Sequence, residues 1–154
     1  MSFVEAGMTA IHLIFAAAWI GSIAFVTYAV LPLARDGDLD PEPLSHIVGS
    51  VTWISRISAL AMVVTGSHLM GSEGFLEVDV LLGSDHGLAI VAMIVLWLAL
   101  IVLIEIASRR IQSGLSANLV REPARDGLRW FQVATLIGAL LLIDGALLTS
   151  GVLA

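Results

Sequence analysis

Four stretches of this chain stay apolar for close to the length a helix needs to cross a bilayer, about 20 residues at 1.5 Å each. They run over residues 8–33, 45–71, 86–108 and 127–152. The second is interrupted by Arg56, but the run from Ile47 to Ile54 extends it downward, and Pro41 and Pro43 mark its start. Hydrophobic residues make up 58% of the chain and charged residues 13%, which leaves too little polar surface to coat a water-soluble core. The expected fold is therefore all-α: one integral membrane domain over 1–154, a four-helix bundle of antiparallel up-down topology.

Orientation follows from the basic residues, because cytoplasmic flanks retain Lys and Arg. All seven are arginines. Arg35 closes the first span, Arg56 lies low in the second, Arg109 and Arg110 close the third, and Arg121, Arg125 and Arg129 lead into the fourth. This pattern predicts a multi-pass protein of the cell membrane with both termini outside. Residues 72–85 form the outer loop, where Glu73, Glu77, Asp79 and Asp85 alternate with apolar residues, as in an amphipathic cap. The amino terminus carries Glu5 rather than a basic region, and reads as a mature helix instead of a cleaved signal. A net charge of -6 argues against nucleic acid as a partner. The acidic, lysine-free, alanine-rich composition suits a salt-loving organism. Without cysteine there is no disulfide or thiolate chemistry.

Measured from the arginines, three of the four histidines fall at the opposite end. His12 and His86 lie roughly 34 Å from Arg35 and Arg109, and His68 roughly 18 Å from Arg56. His68 shares three- and four-residue steps with Ser58, Ala61 and Thr65, a small, polar stripe that suits the bundle interior. His12 is one turn after Met8 and seven residues before Trp19; His86 is seven before Met93 and eleven before Trp97. Met70 adds a sulfur near His68. Imidazole with thioether favours copper, especially Cu(I), whereas two imidazoles facing across a bundle suit axial ligation of haem b. The plainer reading makes His12 and His86 interfacial residues bonded to water or headgroups, and His68 a residue satisfied by a neighbouring helix.

Asp144 lies at a similar height, roughly 22 Å from Arg129. A carboxylate so deep must pair, protonate or ligate. It is expected either to join the histidines as a metal ligand or their hydrogen-bond acceptor, or to sit neutral at a helix seam. Glu105 and Arg109, four apart, read with Arg56 as a structural ion-pair triad. His46 reads as solvated. Ala17, Gly21 and Ala24, then Gly138, Ala139, Gly145 and Ala146, are expected to let helices pack closely. No phosphate loop, triad or carboxylate pair appears, so no catalytic residue is expected.

The run from His12 through Trp19 and Gly21 to Val30-Leu31-Pro32-Leu33-Ala34-Arg35 resembles the opening helix of the copper-resistance protein D (CopD-like) family. Arg56-Ile57-Ser58-Ala59-Leu60-Ala61 with Thr65-Gly66 resembles that family's second helix. The resemblance implies a bundle that moves or handles copper, with His12 as the first-helix histidine. Protoporphyrinogen oxidases of the HemJ type and bis-histidine cytochromes b are distantly similar and bind haem b. This chain departs from them in having no lysine in the third helix and no basic-aromatic motif after Pro32.

These readings converge on an expected copper site of His12, His68 and His86 with Met8, Met70 and Asp144. Haem b on two of the histidines is the alternative, with electron transfer or reaction with a quinone as its function. A third expectation is a subunit without cofactor in a larger membrane complex. A closed four-helix bundle has little room for an ion path, so transport would call for a homo-oligomer.

Overall fold

The computed structural model describes residues 2–150, and there the chain is entirely helical with turns. Helix α1 (Phe3–Phe25) starts on a capping box, with the Glu5 amide donating to the Ser2 hydroxyl and the Ser2 amide to the Glu5 carboxylate. It runs through a π-helical turn, Val26–Val30, into α2 (Leu31–Asp36). The widened turn has a local cause: Pro32 has no amide proton, and its ring crowds the carbonyl four residues back, at Tyr28. Gly37, at φ 90°, ends the helix in the left-handed conformation.

Helix α3 (Pro41–Glu73) begins on Asp40 with proline in its first turn and ends on left-handed Gly74. A five-residue helix, α4 (Val78–Leu82), has no buried residue and rests against α5 (Asp85–Leu115). Ser84 caps α5 by accepting from the Gly87 amide. Helix α6 spans Arg121–Ser150. Four helical stretches, Phe3–Asp36, Pro41–Glu73, Asp85–Leu115 and Arg121–Ser150, are long and apolar enough to cross a membrane.

These spans outrun the apolar stretches at most ends, because polar caps set where a helix stops and the edge of the hydrocarbon does not. The expected end of the fourth at residue 152 lies outside the described residues. Within the expected outer cap over 72–85 the helical part is the single short α4, since Gly74 ends α3 before it and Gly83 ends α4 itself.

α1 packs on α3, α3 on α5, α5 on α6, and α6 back on α1 and α2. Contacts between neighbours run in opposite sequence order, with Trp19 meeting Ser55 and His12 meeting Thr65, then Ile111 meeting Gly127 and Met93 meeting Gly145. The core is gathered in the half of the bundle that carries the arginines. Trp19, Ile23, Leu31, Leu44, Val48, Leu100, Ile104, Ile111 and Phe131 are all fully buried there. Toward the histidine end, Phe3–Phe15, Val91–Ala99 and Leu142–Ser150 contain no buried residue. The two ends thus differ in kind: one is a closed apolar core, the other an open seam.

The small residues expected to pack divide as well. Gly138 packs on Ile20 and Gly145 on Met93, whereas Ala139 and Ala146 on the same helix are exposed. Ala17 and Gly21 are exposed, with nothing within 4 Å of where a Gly21 side chain would start. Helix α1 buries Ala16, Trp19, Ile20 and Ile23, and that choice turns Ala17 and Gly21 away.

Candidate metal centre

The seam between α1 and α3 is pinned by Trp19, whose indole N–H donates to Ser55 Oγ at 2.7 Å, both residues being buried. Seven residues before Trp19 on the same face, His12 Nδ1 lies 2.7 Å from Thr65 Oγ1. The Thr65 hydroxyl has one proton, and at 2.7 Å from the Ala61 carbonyl that proton is committed to its own helix. Thr65 must therefore accept from His12. A neutral imidazole held in this way is the Nδ1–H tautomer, whose Nε2 carries the free lone pair. A side chain at Gly66 would begin 3.5 Å from His12 Cε1, an ordinary contact distance, so the ring lies directly against α3 there.

Two thioethers stand at helical steps from this contact. Met8 stands one turn before His12, and Met70 one turn after Gly66, so each continues the face that carries the imidazole contact. Both are half-buried. A neutral imidazole nitrogen with thioether sulfurs is a soft donor set, suited to Cu(I) and poorly suited to magnesium or calcium.

Two polar atoms on the other helices, Asp144 Oδ2 on α6 and Trp97 Nε1 on α5, are buried without a hydrogen-bond partner among the described residues. Ile20 meets Gly138, and from that shared level His12 is roughly 12 Å and Asp144 roughly 9 Å toward the same end. Imidazole and carboxylate thus lie within one helical turn of each other in height. Asp144 is only half-buried, but a buried carboxylate oxygen without a partner is costly, and a bound cation or a water would relieve it.

The other two outer histidines are placed elsewhere. His68 is exposed, which corrects its expected inward facing. Ser58 and Thr65 are buried, but ten residues of helix carry His68 about 80° round from Ser58, off the buried stripe. His86 is held by the outer loop: its ring stacks on Phe75 with centroids 4.9 Å apart, and its Nε2 lies 3.5 Å from Glu73 Oε2. Among the described residues, no three His, Asp or Glu side chains converge as metal ligands. The expected set of His12, His68, His86 and Asp144 is not assembled as one cluster; His12 is what remains in the seam. His46 is exposed, as expected.

Thr65 and Ala61 stand out in the sequence as neighbours of His68 and in the resemblance to the CopD-like second helix, and neither pattern shows their part in fixing His12. Glu73, Glu77, Asp79 and Asp85 are all exposed at this end, giving it a field that attracts cations.

Comparison with family models, curated proteins and solved structures gives no match.

Proposed function

We propose that this chain is a multi-pass membrane protein of the CopD-like kind that takes copper, as Cu(I), at the open outer end of the α1–α3 seam, for uptake or delivery. His12 Nε2 is the nitrogen donor, Met8 and Met70 supply sulfur, and Asp144 offsets the ion's charge. The observation that carries the reading is the chain of hydrogen bonds from His12 to Thr65 to Ala61, which leaves Nε2 as a bare donor. An orienting partner on the second ring nitrogen is what metal-binding histidines ordinarily have. The opposite order of helix contacts supports up-down topology, and the arginine-rich end supports both termini lying outside the cell membrane.

The test is an anaerobic titration of the full chain in detergent with Cu(I), against a chromophoric chelator. The wild-type chain is expected to hold Cu(I) and His12→Ala to lose it. Met8→Leu and Met70→Leu are expected to weaken binding, and His68→Ala to leave it unchanged. Copper retained by His12→Ala overturns the proposal. A b-type haem band in the visible spectrum, lost in His12→Ala, would assign the same imidazole to haem.

A further inference from the structure

In the half of the bundle that carries the arginines, α3 and α5 flank an open groove of about 310 Å³, lined in part by Trp53, Arg56, Glu105, Ser108, Arg109 and Gln112. Small-ligand sites start at about 300 Å³. One oxygen, Glu105 Oε1, accepts from Arg56 Nη2 at 2.8 Å and from Arg109 Nε at 3.0 Å. Two guanidiniums share one carboxylate, so the group keeps a net positive charge. Their side chains are 58% and 77% exposed, with most N–H donors directed away from Glu105.

Ser108 adds an independent sign of a ligand. It is 3% exposed, and its hydroxyl has no partner among the described residues. Other helical serines here, Ser50 and Ser67, donate to the carbonyl four residues back. Gln112 is already committed to Ser45, as donor to its carbonyl and acceptor from its hydroxyl, and serves as a wall.

The groove opens sideways onto the surface that faces lipid. Trp53 is 64% exposed beside it. Seven residues further along the same faces, Leu60 and Val102 are exposed and apolar, a track for an acyl chain. We infer that this groove seats the phosphate of an anionic phospholipid from the leaflet on the arginine side. Guanidiniums bind the phosphodiester oxygens in forked pairs, Ser108 donates its hydroxyl, and the two arginines neutralise Glu105 so that it does not repel the anion. The inference rests on the membrane-spanning reading and is independent of copper.

Native mass spectrometry of the full chain, released from nanodiscs of mixed phosphatidylglycerol and phosphatidylcholine, tests it. The wild-type chain is expected to retain phosphatidylglycerol preferentially. Arg56→Gln with Arg109→Gln is expected to lower that preference about tenfold or more, and Arg125→Gln, outside the groove, to leave it intact. Ser108→Ala, too conservative to unfold the helix, is expected to lower it about threefold. If the arginine pair does not fold, Ser108→Ala decides alone, and an unchanged preference then overturns the inference. It is likewise overturned by a wild-type chain without preference, by a preference that survives the arginine pair, or by displacement of the lipid with inorganic phosphate, which would make the ligand a soluble anion.

Discussion

His12 and Thr65 meet across the α1–α3 seam at 2.7 Å, and the direction of their hydrogen bond is set by a third group, the Ala61 carbonyl that takes the threonine proton. A backbone oxygen on one helix thereby determines which nitrogen of a histidine on another is bare. That relation links packing to chemistry, and its removal is the first expectation to check. Thr65→Val keeps the volume of the side chain and deletes the acceptor. Loss of an orienting partner of this kind typically weakens metal affinity by about 10- to 100-fold, so Cu(I) competition should show a drop of that order. Thr65→Ser should restore most of it.

The second expectation concerns Trp19 and Ser55, two turns further down the seam. Ser55→Ala leaves the indole N–H buried with no acceptor. Interhelical hydrogen bonds in bilayers contribute about 0.6 kcal/mol on average and up to about 1.7. Equilibrium unfolding in mixed micelles should show a loss toward the upper part of that range, because Trp19 is only 1% exposed.

Glycines at the helix contacts separate by the stiffness of what they touch. A side chain at Gly114 would run into the Pro123 ring, which cannot swing away. Gly114→Ala is expected to destabilise by about 1–3 kcal/mol, the usual cost of overpacking. At Gly138 the neighbour is Ile20, 3.0 Å from the new carbon, and a shift of a few tenths of an ångström suffices. The better helix propensity of alanine, about 1 kcal/mol, should leave Gly138→Ala near neutral in the same unfolding assay.

Gly37 tests the turn between α2 and α3. Its φ of 90° lies in the left-handed region, and the Arg121 guanidinium occupies the space a side chain would fill. Gly37→Ala should lose roughly 1–2 kcal/mol from backbone strain alone and displace Arg121. Gly74→Ala, with an equivalent φ of 82° but open space around it, should lose the strain term only.

Much of the architecture was legible in the amino-acid sequence because it rests on one-dimensional signals. Four apolar runs mark the four helices that are long and apolar enough to cross a membrane. Glu105 and Arg109, one turn apart, with Arg56 at matching depth, mark the triad in which both guanidiniums bond the same carboxylate oxygen. What failed depended on rotation. His68 follows Thr65 by three residues and looked like part of its stripe, but each helical step adds 100°, and drift from Ser58 carries it to the exposed face. Ala17 and Gly21 carry the spacing of a packing face, yet α1 buries the adjacent strip through Trp19 and Ile23. Nothing along the chain encodes that His12 would find Thr65; that contact follows from the register of two helices, set below it by Trp19 on Ser55.

X-ray absorption at the copper edge of the Cu(I)-loaded full chain addresses the proposed centre most directly. A first shell of mixed nitrogen and sulfur is expected, with the nitrogen lost in His12→Ala and the sulfur reduced in Met8→Leu and Met70→Leu. A shell of nitrogen and oxygen alone, or one indifferent to His12, would contradict it.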